Sequence, residues 1–326
     1  MNNLHGILII IVIVGVAIIT IEKSLNKFIQ LKNAKNNDIT PLILAVWNEN
    51  LTAVRSLINA NADVNARNAQ GETALIVAAS TGNTNIIASL IKAGADINAQ
   101  DTGGFTPLMT AASNGCLTAV HSLIDANATI DARNEDGRTA LILAASIGNL
   151  PIMSSLIKAH ADINAQDSTG FTALITAAEC GHLNVVRLLI EKQANIHARV
   201  DDGQTILMCC ASISGNIDIL KLLINLNVSL EDKNLNGQTA LAMAVRYKKL
   251  EAVKFLIEQH ANIETTDQWG QTPLIHAVKS KNIDIITLLI NSGANVHAQD
   301  EDRRTPLMIA SDIGIVEIIQ LLINTQ

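Results

Sequence analysis

Residues 73–78 read Thr-Ala-Leu-Ile-Val-Ala, and a similar phrase, Thr-Pro/Ala-Leu-Ile/Met-x-Ala, recurs along the chain. Its threonine returns at steps of 33 residues, with a single step of 34 between Thr205 and Thr239. The nine threonines are Thr40, Thr73, Thr106, Thr139, Thr172, Thr205, Thr239, Thr272 and Thr305. A period of this length is typical of stacked supersecondary units. The sequence therefore predicts a solenoid of nine units.

Each unit is predicted to contain two helices. In the second unit, apolar residues recur with helical spacing over residues 73–81 and 84–93. Gly82 and Gly94 follow these stretches, and glycine in left-handed backbone commonly ends a helix. The five prolines all lie at predicted helix starts, where a missing N–H costs nothing. They are Pro41, Pro107, Pro151, Pro273 and Pro306.

Composition limits both the core and the partners. Of the 326 residues, 48% are hydrophobic and only 2% aromatic, so the core must be built from Ile, Leu, Val and Ala. The formal net charge of -7 argues against a nucleic-acid partner, because phosphate binding needs clustered Lys and Arg. The four cysteines form no Cys-x-x-Cys pair, so no structural zinc is expected and a reducing compartment is favoured.

The order of phrases within a unit resembles the ankyrin repeat. Asp-x-x-Gly-x-Thr-Pro/Ala-Leu comes first, two helices follow, and Gly-Ala-Asp-x-Asn-Ala closes the unit, over about residues 36–326. The resemblance implies an all-α solenoid of helix-turn-helix units with projecting β-turn fingers. It also implies that the concave face and the finger tips bind other proteins.

The predicted domain organisation follows from this register. Residues 1–22 form an apolar helix that is a transmembrane anchor or signal segment, and residues 23–36 form a linker. Residues 37–326 form nine repeats. Their approximate boundaries are 37–68, 69–101, 102–134, 135–167, 168–200, 201–234, 235–267, 268–300 and 301–326.

The chain departs from the family pattern at two repeated positions. The family phrase T-P-L-H-x-A has His where this chain carries an apolar residue: Ile43, Ile76, Met109, Ile142, Ile175, Met208, Ala242, Ile275 and Met308. The glycine that ends the second helix persists only at Gly94 and Gly293. Elsewhere the residue is Asn61, Asn127, His160, Gln193, Asn227 or His260. Since Asn and His tolerate left-handed backbone, His160 and His260 are predicted to be helix caps rather than metal ligands.

The sixth repeat and the two ends are irregular. One residue is added around Ile213, Cys210 replaces a core alanine and Val200 replaces the usual Asp, so a bulge is expected near residues 209–216. The first and last units depart from the Asp-x-x-Gly pattern, and both are interpreted as the end caps that solenoids need.

The apolar N-terminal stretch favours a membrane. Residues 7–21 contain no charged side chain, and with Leu4 the stretch approaches the roughly 20 residues that span a bilayer. Lys23, Lys27 and Lys32 follow it, whereas residues 1–6 contain no Lys or Arg, which favours a retained anchor with the repeats in the cytoplasm. Residues 15–17, Gly-Val-Ala, have the form of a cleavage site, so a cleaved signal peptide and a secreted chain are the alternative.

The sequence predicts no enzyme. It contains no nucleophile elbow, phosphate loop or His-Glu-x-x-His motif, so no catalytic, cofactor-binding or metal-binding residues are assigned. Binding to a protein partner is expected instead, with rare aromatic residues as anchors. The register places Phe105 and Phe171 just before their threonines and Trp269 at a finger tip. The ends of first helices carry inner-face residues, and the predicted partner-binding set is Phe105, Phe171, Glu179, Arg246, Tyr247, Trp269 and Lys279.

These features predict a non-enzymatic protein-binding scaffold tethered to a membrane. An exported effector with a cleaved signal peptide and the regulatory subunit of an enzyme are the alternatives. Lys248, Lys249 and Lys281 add to a basic inner surface in repeats seven and eight, which suits a partner with an acidic segment.

Overall fold

The repeated threonine begins each first helix. The computed structural model describes residues 39–324, and all nine threonines lie in this range with extended backbone. Each Oγ1 accepts a hydrogen bond, 3.2–3.4 Å long, from the backbone N–H three residues further on. This N-cap satisfies a donor that the helix leaves open, and such a cap stabilises by about 1 kcal/mol.

Eighteen α-helices follow one another as nine pairs within residues 39–324. The first helices are α1 Pro41–Trp47, α3 Ala74–Thr81, α5 Pro107–Ser113, α7 Ala140–Ser146, α9 Ala173–Glu179, α11 Ile206–Cys209, α13 Ala240–Arg246, α15 Pro273–Lys279 and α17 Pro306–Ile313. The second helices are α2 Leu51–Asn59, α4 Thr84–Lys92, α6 Leu117–Asp125, α8 Leu150–Lys158, α10 Leu183–Glu191, α12 Ile217–Asn225, α14 Leu250–Glu258, α16 Ile283–Asn291 and α18 Val316–Ile323. Repeats are numbered below by the predicted boundaries.

The helices pack in two layers. Each first helix contacts its own second helix and the first helices of neighbouring repeats, and second helices contact second helices. One continuous core of Ile, Leu, Val and Ala runs through the stack. Close approach of the first helices depends on small residues that are fully buried, among them Ala78, Ala111, Ala144 and Ala177. The predicted all-α solenoid is therefore confirmed for the described residues.

The segments between repeats form projecting turns, here called fingers, that hydrogen-bond to the next finger. Residues 39–324 contain isolated β-bridges, such as that between Arg67 and Thr73, but no strand. Side chains at one repeated position donate to a backbone oxygen 33 residues further on: Arg67 to Gln100, Gln100 to Arg133, Arg133 to Gln166, Gln166 to Arg199, and Lys233 to Thr266. The fingers thus form a hydrogen-bonded ladder along the solenoid.

The extra residue of repeat six is absorbed by a π-helix. Residues Cys210–Ser214 continue α11 with wider turns, and the N–H of Gly215 donates to the oxygen of Cys210 at 2.7 Å. Ile213 is pushed outward and is 44% exposed. The expected bulge near residues 209–216 is confirmed. Burial raises the pKa of Cys209 to about 12 and that of Cys210 to about 11, so both are protonated and unreactive at neutral pH.

The predicted left-handed helix ends are also confirmed. All six non-glycine residues at the end of second helices, His160 and His260 included, have φ between 58° and 64°. Gly94 has φ 86°, and a Cβ added there would have no atom within 4 Å. A residue with a side chain at this position therefore pays only the free-energy cost of left-handed backbone and meets no steric clash. This explains why the position accepts Asn, Gln and His.

The outer face of the last repeat differs from the predicted end cap. Met308 is 54% exposed, although the eight equivalent residues in preceding repeats are at most 3% exposed. Val316 and Ile323, on α18 of the same repeat, are also exposed. A cap needs a polar outer face, so this expectation is wrong for repeat nine. The predicted apolar helix and the linker, residues 1–36, lie outside the described residues.

Candidate protein-binding surface

Two cavities open between the fingers and the ends of the first helices, and we call this surface the inner face. The larger, of about 440 Å³, lies between repeats seven and eight. Arg246 ends α13 and Lys279 ends α15, whereas Trp269 lies in the finger that precedes α15. The cavity is lined by Arg246, Trp269, Gln271, His276, Lys279 and Ser280. It therefore joins three predicted residues, two cationic and one aromatic.

A buried aspartate holds the aromatic finger in place. Asp267 accepts the N–H groups of Trp269 and Gln271 through Oδ1, both at 2.9 Å. Its Oδ2 accepts a 2.9 Å hydrogen bond from Nε2 of His276 on α15. Burial lowers the pKa of His276, and the nearby Arg246 and Lys279 act in the same direction although Asp267 opposes them. A neutral His276 thus links finger to helix without adding charge to the cavity.

A second buried aspartate, Asp300, pairs with cations near this cavity. Asp300 Oδ2 lies 3.0 Å from Nη2 of Arg304 and 3.8 Å from Nζ of Lys279. Burial opposes ionisation, but the backbone N–H and guanidinium of Arg304, with Lys279, hold the pKa of Asp300 below its usual range. Asp300 is therefore ionised and satisfied mainly by Arg304, and it leaves Lys279 half-exposed at the inner face.

Three lysines extend this charge, and we call Arg246, Lys248, Lys249, Lys279 and Lys281 the cationic strip. Lys248 and Lys281 have left-handed backbone, with φ 59° and 58°. The equivalent residue in six other repeats is glycine: Gly82, Gly115, Gly148, Gly181, Gly215 and Gly314. A side chain in this conformation costs about 1–2 kcal/mol, so the two lysines weaken their helix junctions.

Lys249 departs from a second local rule. It occupies the N-cap of α14 and makes no side-chain cap hydrogen bond. The equivalent asparagines of five repeats, including Asn83, Asn149 and Asn216, accept N–H groups of their second helices. Three further repeats resemble repeat seven, because Cys116, His182 and Ile315 also make no side-chain cap hydrogen bond. Within residues 39–324, Lys248, Lys249 and Lys281 form no ion pair with a carboxylate. No ion pair in the described residues therefore compensates for the cost of their positions.

The smaller inner-face cavity, of about 390 Å³, lies between repeats four and five. It contains two more predicted residues, Phe171 and Glu179. Burial raises the pKa of Glu179, the charge of Arg138 opposes this effect, and the charge of Asp167 adds to it. The full lining is Arg138, Ile142, Leu143, Ser146, Asp167, Thr169, Phe171, Thr176, Glu179 and Cys180. The walls of this cavity contain more apolar residues than those of the larger inner-face cavity, and they carry both positive and negative side chains.

The remaining predicted residues lie outside both cavities. Phe105 is half-buried against the core, and its N–H donates to Asp101 Oδ1 at 2.8 Å. Tyr247 follows Arg246 and is 46% exposed, but it does not line the cavity. The structure thus divides the seven predicted residues between two cavities and two separate positions.

Sequence reasoning missed His276 and Arg138. His276 lies four residues after Thr272, and Leu143 and Thr176, which line the smaller cavity, lie four residues after their own threonines. This register position lines a cavity in all three repeats, so the repeat alignment contained a usable signal. Arg138 lies just before Thr139, and its Nε is 3.5 Å from Oδ2 of Asp167 in the next finger. Only that contact between repeats identifies it.

A third cavity and two surveys complete the search of the described residues. The cavity, of about 400 Å³, lies between α2 and α4 in the other layer and contains no predicted residue. Within residues 39–324, no group of three or more His, Cys, Asp or Glu side chains could hold a metal ion. None of the helices in that range is both long and apolar enough to cross a membrane, and residues 4–21 lie outside it.

Stacked helix pairs with interlocking fingers and an open inner face define a solenoid whose surface suits protein binding. A sequence model of the family described as Ankyrin repeats (3 copies) matches residues 16–101, 42–134, 108–200, 193–267 and 248–326. The chain therefore belongs to the ankyrin repeat family, whose members typically act as interaction modules rather than enzymes. No curated protein matches the chain in sequence.

Proposed function

We propose that this chain is a non-enzymatic scaffold that binds another protein on its inner face and is held to a membrane by residues 4–21. The observation that carries the binding proposal is the cavity of repeats seven and eight. There a 43% exposed Trp269 stands beside Arg246 and Lys279 in a chain with few aromatic residues. Trp and Arg are the side chains that most often dominate interface energies.

A photo-crosslinking experiment tests the binding surface. A photoreactive phenylalanine analogue replaces Phe171, Tyr247 or Trp269 on the inner face, and Lys158 or Lys254 on second helices as matched controls. We expect the inner positions to crosslink to the same partner in the source cell and the control positions to give none. Equal crosslinking from both layers, or no protein adduct at any inner position, would contradict the proposal.

A combined substitution measures the contribution of the aromatic residues. The variant F105A/F171A/Y247A/W269A is expected to lose capture of the crosslinked partner, since truncating an anchor side chain typically costs about 2 kcal/mol or more of binding free energy. Its helix content and cooperative thermal unfolding, followed by circular dichroism, control for folding. Capture that persists at the wild-type level would show that these four residues do not form the site.

The membrane part of the proposal rests on charge distribution. Residues 7–21 carry no charged side chain and the next lysine is Lys23, an arrangement that favours a retained anchor with cytoplasmic repeats. The intact mass of the native chain, from membrane and soluble fractions, tests it. We expect a chain that keeps residues 1–21 and needs detergent for extraction. A soluble chain lacking about 17 residues would overturn the anchor.

That last outcome would support a second candidate, an exported effector. The observation in its favour is the Gly-Val-Ala sequence of residues 15–17, which fits a signal-peptide cleavage site. The binding surface would be unchanged, but its partner would then belong to another compartment or another cell.

A further inference from the structure

We propose that the cationic strip of repeats seven and eight binds a short acidic segment of a partner protein, with an apolar side chain of that segment against Trp269. This inference deepens the proposed function and rests on it. The strip carries five cations, Arg246, Lys248, Lys249, Lys279 and Lys281, in two adjacent repeats of a chain whose net charge is -7. Positive charge is thus concentrated in these two repeats, although the chain as a whole is negatively charged.

The placement of the lysines supports a role in binding rather than in folding. Lys248 and Lys249 stand where three other repeats have the pair Gly-Asn, at residues 82–83, 148–149 and 215–216, and Lys281 again stands at the position that is glycine in six repeats and Glu49 in the first. Each substitution is locally unfavourable, through left-handed backbone or a lost N-cap hydrogen bond. Violations of local rules that gain nothing inside the fold are typical of functional sites.

Steric constraints do not explain these substitutions. A Cβ on Gly82 or Gly215 would meet only side-chain atoms of the following repeat, at 3.2 Å or more. In those repeats the position therefore accepts a side chain once the backbone cost is met, whereas a Cβ on Gly148 would lie 2.5 Å from the ring of His182. Repeats seven and eight both bear this backbone cost, and in each of them the residue at this position is a lysine. In both repeats the first helix also ends in a cation, Arg246 or Lys279.

The borders of the strip define the length and chemistry of the occupant. In repeat nine the residue equivalent to Lys279 is Asp312, which is exposed, and the finger of that repeat carries Glu301 and Asp302. On the other side, the π-helix of repeat six exposes Ile213. A long polyanion would run into the acidic border, whereas a segment of a few Asp and Glu residues fits the two repeats.

Trp269 adds a requirement that a purely ionic ligand does not meet. Its ring lines the same cavity as Arg246 and Lys279, and its backbone is fixed through Asp267 and His276. A rigid aromatic wall next to cations favours a segment in which an apolar side chain accompanies the carboxylates. The expected ligand is therefore an acidic peptide with one large apolar residue.

The test uses the full chain in detergent and two fluorescein-labelled peptides. One is Glu-Asp-Glu-Phe-Glu-Asp-Glu, and the other has Ser in place of Phe. We expect the Phe peptide to bind more tightly than the Ser peptide, and W269A to abolish that difference. Affinity should fall as salt rises, because exposed charges are screened. Twelve-residue oligouridylate is the competing probe, and RNA binding that depends equally on the strip would overturn the proposal.

Restoring the residues that other repeats use gives the sharpest variant. K248G/K249N/K281G should bind the Phe peptide roughly tenfold or more weakly, since each exposed ion pair contributes modestly. The same variant should melt about 2 °C or more above the wild type, because strain is removed and an N-cap is restored. Weaker binding together with higher stability cannot result from damage to the fold.

Two control variants complete the test. K248R/K249R/K281R preserves the charge and should retain binding within about threefold. K92Q/K158Q/K254Q removes three exposed lysines from second helices and should leave binding unchanged, which separates the strip from net charge. Peptide affinity that is equal in K248G/K249N/K281G and the wild type would refute the acidic-segment proposal. Inner-face crosslinks to a partner in that case would leave the scaffold function standing.

Discussion

Replacing Gly137 by Ala is expected to destabilise the protein by roughly 2–5 kcal/mol, measured by chemical unfolding. Gly137 has φ 74°, and an added Cβ would lie 2.7 Å from the backbone nitrogen of Ser168 in the next finger. That nitrogen donates to the oxygen of Asp136 at 2.8 Å, so relieving the clash breaks a rung between fingers. Backbone cannot move aside as a flexible side chain can.

Gly94 provides the matched control for this prediction. Its φ is 86°, but an added Cβ would meet nothing within 4 Å. G94A should therefore cost only the left-handed backbone, about 1–2 kcal/mol, and G94N less because Asn tolerates this conformation. If G137A and G94A were equally destabilising, the close contact between fingers at Gly137 would make no contribution to the loss of stability.

Truncating the core leucine of a central repeat is the other large effect. Leu156 on α8 is fully buried, and L156A should cost roughly 2–5 kcal/mol through lost burial and the cavity left behind. Repeat four has neighbours on both sides, so its weakening should interrupt the stack. Hydrogen exchange followed by mass spectrometry should detect faster exchange in repeats three to five as well as in repeat four.

The equivalent leucine of the last repeat separates local from global stability. Leu322 on α18 is as deeply buried as Leu156, but repeat nine has a packing partner on one side only in the described residues. L322A should accelerate exchange within residues 301–324 and leave the main unfolding transition near that of the wild type. A loss of global stability as large as for L156A would mean that the array unfolds as one unit.

The fold was predictable from the sequence because equivalent residues of successive repeats have similar surroundings. Threonine spacing located the starts of the first helices, and the residues that replace Gly at the ends of second helices were correctly placed in left-handed backbone. Met308 shows where this reasoning fails. Its eight equivalents are buried by the following repeat, so the pattern predicts burial, whereas the described part of repeat nine has no following neighbour to cover it.

The candidate site was predictable only in part. Register placed Arg246 and Lys279 on the inner face and Trp269 at a finger tip, and the structure adds that the three share a cavity. His276 was missed because a buried histidine on a helix resembles core until its 2.9 Å contact with Asp267 is known. Arg303 occupies the position equivalent to Gly137, with φ 59°. In the described residues no following finger lies next to its Cβ, so the close contact that requires glycine at Gly137 is absent there.

The ladder of fingers has a direction, and this matters while the protein is being made. Arg67, Gln100, Arg133 and Gln166 each donate to a carbonyl about one repeat nearer the C-terminus. A newly emerged repeat therefore waits for its successor before its hydrogen bonds are complete. At ribosomal speeds, 33 residues take roughly 2–7 s. The growing chain always carries one unfinished finger and one uncovered apolar face, which are the features that chaperones bind.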